Sequence, residues 1–317
     1  MNENCGLGFG KARASVVAAV LAAFLAGCGS GDDGKIFGYG TGSGLSTGPG
    51  PAGSAPALGA AGAFAGLSGG GAGMTNEGTS TVITGAQGQP VSIGTTAASS
   101  TVTGFHDTSV AYVPPPATAG CSYTETTLNI GVVNGSIVTD APPPTITCPA
   151  EGTAATKALA DAAAAAALAA FNDLAARPGA TDPGANLGGL TLAPGVYKTA
   201  SGAFQITGSD LTLDAQGNAN AVWVFQMATT LTVGAAALPR SVILAGGAQP
   251  KNVFWQVGSA ATINAAGGGT MVGTIISSAG ASFSTSGNAA ITTLNGRALS
   301  LVASVTMTNT HINVPAP

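Results

Sequence analysis

The chain is sparing with the side chains that do chemistry. Its 317 residues include two histidines, four cysteines and only 7% charged residues, against about a quarter in an average soluble domain. Cleavage of a polysaccharide or ester needs clustered carboxylates, or a base held beside a nucleophile. Asp182, Asp210 and Asp214, with Lys198, Arg240, Lys251 and Arg297, are instead scattered singly through the second half, and Asp210 and Asp214 flank "LTL" as turn-formers. His106 and His311 belong to no Ser/His/Asp frame and to no C-x-x-C or H-x-x-x-H metal spacing. "LSGGGAGMTN" lacks the Lys-Ser/Thr ending of a phosphate loop. The expectation is a chain that is not an enzyme, with no catalytic residues, no metal and no cofactor.

What the sequence repeats is uncharged hydrogen-bonding side chains two residues apart. Gln205 and Thr207, Thr230 and Thr232, Thr262 and Asn264, Ser282 and Ser284, and Thr306 and Thr308 each enclose one apolar residue: Ile206, Leu231, Ile263, Phe283 and Met307. Alternate residues of a strand face opposite ways, so the polar pairs are expected to point outward and the apolar residues inward. Stacked strands would then carry two columns of hydroxyl and amide groups. Within a pair the spacing is about 6.7 Å and between strands about 4.8 Å. Threonine suits such an array because β-branching holds its hydroxyl and methyl stiffly. Residues 252 to 296 contain no Asp, Glu, Lys or Arg.

The elements that must position these residues follow from the rest of the chain. "VWVFQMATTLTVG" (222–234) aligns with "VFWQVGSAATINA" (253–265), placing Gln226 over Gln256 and Thr232 over Thr262, and 273–286 and 296–309 read as further copies. Strand, tight turn and strand recurring every 20 to 30 residues or so is a solenoid pattern. Trp223 and Trp255 sit among apolar neighbours, which favours a core or helix-covered place over a carbohydrate platform. One helix is predicted over 153–176, nearly all Ala, with Leu159, Leu168, Phe171 and Leu174 as its apolar stripe and "RPG" as its stop. It would be roughly 35 Å long, the height of six or seven stacked coils. Two Pro-rich stretches bracket 113–150, read as a capping insertion closed by Cys121 and Cys148.

The N-terminus reads as an export signal. Lys11 and Arg13 precede a 14-residue apolar run too short to span a bilayer, and "LAGC" ends it at Cys28. Leu-Ala-Gly-Cys resembles the bacterial lipobox, which implies cleavage after residue 27 and lipid on Cys28. Residues 28–55 are then a Gly/Ser/Pro-rich tether and 56–317 the domain. Removing 1–27 takes Lys11, Arg13 and Glu3, leaving seven basic and twelve acidic residues, a net charge of −5. The absence of a basic patch argues against nucleic acid or anionic lipid as partner. Cys121 and Cys148 remain as a disulfide in an oxidising compartment. Gly29 after the lipidated cysteine favours the outer membrane or cell surface, with lipid as the sole membrane contact.

"LGAAGAFAGLSGGGAGMTNEGTSTVITG", "LAAFNDLAARPG", "LGGLTLAPGVYK", "LTLDAQGNANAVWVFQM", "NVFWQVGSAATI" and "LNGRALS" follow one another over roughly residues 57–315. Together they resemble the microbial ice-binding (antifreeze-type) proteins. "GAQGQPVS" stands where that family has a Gly-Asp-Ile-Gly turn, and the Cys-closed segment is not universal in it. The resemblance implies a mainly β fold: a right-handed β-solenoid (a discontinuous β-helix) with one long α-helix packed along it. It also implies adsorption to an ice crystal surface through the outward columns, and adds Thr103 of "TVTGF" to that face. Charge-free, rigid hydroxyl arrays suit ice, inhibiting its growth or recrystallisation. The other reading of the same features is a lipid-anchored structural or adhesion solenoid that binds a glycan or another cell surface.

Overall fold

The computed structural model describes residues 53–115, 121–235 and 238–317. The expected signal 1–27, Cys28 and all but the end of the tether lie outside them. The described residues are mainly β with one α-helix. The strands fall into three sheets whose pairings are parallel and join strands that are not neighbours in sequence, except that Phe105–Asp107 pairs antiparallel with the next strand, Ser122–Tyr123.

One face is built from three-residue strands. Phe204–Ile206, Leu231–Val233, Ala261–Ile263, Ala281–Phe283, Val305–Met307, Met74–Asn76 and Val102–Thr103 pair in that order, all in parallel. Each starts with a buried residue, and the three-residue strands end with one, around a middle residue that is not buried. A second face carries longer strands, and the third lies under the helix. Thr270–Ser277 and Thr292–Ser300 run across both of these and turn the corner at Gly273 and Gly296, which are register partners. A Cβ on Gly296 would lie 1.8 Å from the Gly273 carbonyl oxygen, so the corner admits no side chain there.

The stacking order is not the sequence order. Leu299 pairs with Leu67 and Val305 with Met74, so the first strands of the domain continue the stack beyond the last ones. The segment around 113–150 extends this end rather than standing apart from it. Cys121 and Cys148 are disulfide-bonded with their Cα atoms 5.6 Å apart. Between them, Gly131–Val133 pairs with Thr81–Gly85, and Ile137–Asp140 with Ser92–Ala98.

The helix, Ala154–Ala175, returns along the stack. Thr153 caps its N-terminus reciprocally with Thr156, whose hydroxyl also donates to the Thr139 carbonyl at 2.6 Å. At the far end Gln226 donates to the carbonyls of Leu174 and Arg177 at 2.7 and 2.9 Å, satisfying groups that the helix leaves unpaired. The buried stripe differs from the expected one. Ala160, Ala163, Ala167 and Ala170 face the sheet with Leu174, whereas Leu159 and Leu168 are 58% and 48% exposed. Alanine wins because the helix lies directly on Leu67, Val224, Phe254, Ile276 and Leu299, and a longer side chain would hold it off them.

Inside the stack the aromatic residues form a continuous column. Phe225 stacks on Trp255 with centroids 4.0 Å apart and meets Phe204 edge-on. Trp223 and Trp255 are fully buried, their indole N–H groups donating to Leu192 and Val272 carbonyls. They are not at equivalent places: Trp223 pairs with Val253, and Trp255 with Phe225.

Candidate functional site

The middle residues of the short strands make one ladder. Gln205, Thr232, Thr262, Ser282, Thr306, Thr75 and Thr103 are consecutive register partners. Neighbours along it are about 4.8 Å apart. Gln205 and Thr232 are exposed and the others half-buried. None of these seven side chains carries charge. None makes a hydrogen bond to another described residue, whereas Thr229, Thr285 and Thr101 in the adjoining turns donate to the carbonyls of Gly202, Ala265 and Ala98. The ladder's hydrogen-bonding capacity is therefore directed to solvent. Inward neighbours hold it in place: Leu231, Ile263, Phe283 and Met307 are all 0–1% exposed.

The expected second column does not form. Asn264 is 0% exposed, Ser284 6% and Thr308 3%. Asn264 and Ser284 adopt left-handed backbone conformations, with φ of 47° and 62°, and Thr308 precedes Asn309 at φ 46°. A left-handed residue breaks the two-residue alternation and turns the chain into the corner. Asn264 then serves the corner itself, accepting from the Arg240 N–H and donating to the Arg240 and Gly268 carbonyls. Thr207 is half-buried before Gly208. Thr230 is exposed but precedes Thr232, so it flanks the ladder on the opposite side from Thr207. Thr75 was missed because its strand comes from the N-terminal part of the chain. Its signal, "MTN" after a Gly-rich run, appears only once the stacking order is known.

The long-strand face also carries outward polar residues in register. Thr293 pairs with His311 and Asn295 with Asn313, and these pair onward with Val82 and Thr84. Leu294, Ile312 and Ile83 between them are fully buried. This face has two outward positions per strand, but its side chains are more mixed.

The densest polar cluster lies at the disulfide end and turns inward. Glu151 accepts from the Tyr123 hydroxyl at 2.5 Å and contacts the Ser109 hydroxyl at 2.6 Å, which in turn reaches Asp107. Burial pushes the Glu151 carboxyl up to about 7, and the nearby Asp107 charge adds to this. Protonated, Glu151 can donate to Ser109, which donates to Asp107 (a chain in which every proton has an acceptor). His106 Nδ1 lies 2.7 Å from Glu125 Oε1, and the imidazole stacks on Tyr112. These groups tie the disulfide end together. Among the described residues, the one group spaced to hold a metal is Cys121, Cys148 and Glu151, and its two sulfurs are taken by the disulfide.

A family model described as ice-binding-like matches residues 69–313. The ice-binding protein of Nostoc sp. (strain HG1) is 38% identical over 190 residues, which is 59% of this chain and 64% of that protein. That of Flavobacterium frigoris (strain PS1) is 35% identical over 129 residues, 41% of each chain. The alignments thus span less than two thirds of either curated relative. Among solved structures, the ice-binding protein of the Antarctic ascomycete Antarctomyces psychrotrophicus superposes with a TM-score of 0.60 at 30% identity, covering 83% of this chain and all of that one. One from an Arctic yeast, described for its antifreeze activity, superposes at 0.59 with 27% identity, covering 83% and 96%.

Proposed function

Because the chain belongs to the ice-binding-like family, we propose that it adsorbs to ice through the short-strand face and so inhibits ice growth or recrystallisation. One observation carries this reading: seven uncharged side chains in unbroken register, none of them hydrogen-bonded to another described residue. A rigid ladder of this kind loses little conformational entropy on adsorption. Its threonines offer water both a methyl and a hydroxyl at fixed positions. The solenoid reading belongs here too. Ladders of parallel strands with recurring short connections are coils of a β-solenoid, right-handed by the strand-twist preference that governs parallel connections, and an experimental structure with a left-handed coil would sink that part.

The test is freezing-point hysteresis and ice-crystal shaping by the purified protein beside a Thr232→Tyr, Thr262→Tyr double variant. Shaping that disappears in the folded variant supports the face. A folded wild-type protein that neither shapes ice nor shows hysteresis overturns the function, and a glycan-binding screen then takes up the adhesion reading.

A second face has its own claim, since Thr293 with Asn295 and His311 with Asn313 form a wider register-matched patch. His311 and Val82 make it chemically less uniform than the threonine ladder, which is why the short-strand face is preferred. We further propose that the protein is an exported lipoprotein of the outer membrane or cell surface, held by lipid on Cys28. Labelled palmitate incorporated by the wild type and not by Cys28→Ser supports this; equal labelling of both refutes it.

A further inference from the structure

The chain enters the stack, and reaches its last residues, along the one corner that the threonine ladder does not touch. Each coil crosses the faces in a fixed order. Leu211–Asp214 lies on the long-strand side, Trp223–Met227 under the helix, Leu231–Val233 on the short-strand face, and Val242–Ala245 on the long-strand side again. The ladder is therefore bounded by the turns 228–230 and 234–241. The third corner, between the long-strand side and the helix-covered face, is turned by residues 215–222 and 246–252 and by Gly273 and Gly296. In a three-sided stack that corner stands opposite the ladder.

Residues 53–63 run along it as a strap. Gly53 borders one hollow with Asn218 and Val222, and Leu58 and Gly62 border another with Asn220, Asn252 and Arg297. Three contacts fasten the strap. Arg177, just past the helix, donates from Nη1 to the Ser54 carbonyl. Arg297 donates from Nε and Nη2 to the Gly62 carbonyl at 3.2 and 3.0 Å. Between them Gly59 lies against the helix, where a Cβ would come within 3.3 Å of the Ala166 Cβ. Both arginines are buried, so two of only nine Lys and Arg residues serve this segment with charge-assisted hydrogen bonds. Pro315, Ala316 and Pro317 fill the same corner, and Lys251 Nζ donates to the Pro317 carbonyl at 2.7 Å.

We infer that the protein is an ice anchor: it fastens the membrane that carries its lipid to ice, with the short-strand face turned away from that membrane. This rests on ice adsorption by the ladder and on lipid at Cys28, both proposed above. A surface that holds the chain upstream of Gly53 pulls on the corner behind the ladder. Because the chain is fixed at Ser54 and again at Gly62, the point of pull cannot move toward the ladder. Attachment at the ladder's own edge would instead bring the membrane against the face that must meet ice, and two surfaces cannot engage one domain where geometry forbids it. Many copies on one membrane also add their adsorption, which a freely diffusing molecule cannot do.

Capture of dye-loaded phosphatidylcholine vesicles by a growing ice surface tests this. One set carries the full chain, with Cys5→Ser, coupled to a maleimide lipid through Cys28. The other carries Cys5→Ser, Cys28→Ser, Thr230→Cys, coupled at the same density through the exposed turn beside the ladder. Freezing-point hysteresis of both chains is matched before coupling, with Thr229→Cys replacing Thr230→Cys if the latter falls short. The Cys28-coupled vesicles should be captured about tenfold more than the turn-coupled ones, and bare vesicles should be left in the liquid. Equal capture of the two coupled sets would show that the point of attachment is immaterial and overturn the inference. If the uncoupled chain shows hysteresis but Cys28-coupled vesicles stay in the liquid, the anchor fails and ice adsorption stands. Absence of hysteresis in the folded, uncoupled chain removes ice adsorption and the anchor with it.

Discussion

Replacing Ala163 or Ala167 by leucine asks how the helix sits, and the structure sets the size of the answer. Both alanines are 0% exposed and lie in one cluster with Val224, Phe254, Ile276 and Leu299. A leucine there must push the helix off the sheet or adopt a strained rotamer. Overpacking of this kind costs about 1 to 3 kcal/mol. Leu168 provides the contrast, because 48% of it is already exposed. Leu168→Ala gives up about half of the roughly 2 to 3 kcal/mol that full burial of a leucine is worth, and regains a few tenths through helix propensity. It should therefore cost about 1 kcal/mol or less. At about 2 to 4 °C per kcal/mol for a domain of 150–250 residues, Ala167→Leu should lower Tm by about 2 to 12 °C and Leu168→Ala by no more than about 4 °C. Circular dichroism melts of both variants measure the difference. If Leu168→Ala lowers Tm more than Ala167→Leu, the leucine stripe faces the sheet and the packing described above is wrong.

Stability should depend on pH through Glu151. Its folded-state value of about 7 lies above the ordinary 4.5, so the stability it contributes is complete below the lower value and is lost as pH rises through the upper one. Urea denaturation should show the wild type weakening from about pH 5 to 8 and Glu151→Gln changing less; parallel curves would discount the residue. Gln226→Leu removes the donors that satisfy the Leu174 and Arg177 carbonyls, and should cost about 1 to 3 kcal/mol, with faster hydrogen exchange at the end of the helix than at its start. Reducing the Cys121–Cys148 bond, which closes a sequence separation of 27, should cost about 3 to 4 kcal/mol in the chain-entropy model. Limited proteolysis should then cut the disulfide end first, and cleavage elsewhere would contradict that placement.

Repetition was what the sequence made legible. "VFQMATTLTV" over "FWQVGSAATI" put Gln226 on Gln256 and Thr232 on Thr262, and the strands pair that way. The inward apolar residues and the single long helix were readable for the same reason. Two kinds of information were not. Strict alternation assumed strands long enough to carry two outward residues, but these strands are three residues long and end at left-handed corners, which sends Asn264, Ser284 and Thr308 inward. Nothing in a periodic pattern marks an asparagine or serine as left-handed, whereas a glycine such as Gly234 would have signalled it. The discontinuous stacking order was also hidden, and with it the place of Thr75 between Thr306 and Thr103. The helix misled for a third reason: leucines are ordinarily the buried residues, but close approach to a flat sheet reverses that preference in favour of alanine.

The most direct measurement of the central claim compares freezing-point hysteresis of Thr262→Tyr with that of Thr293→Tyr. Each adds one bulky ring to one of two neighbouring faces of the same folded protein. Loss of most of the activity in Thr262→Tyr, with Thr293→Tyr near wild type, is the predicted result. The opposite pattern would move ice adsorption to the long-strand face and contradict the account.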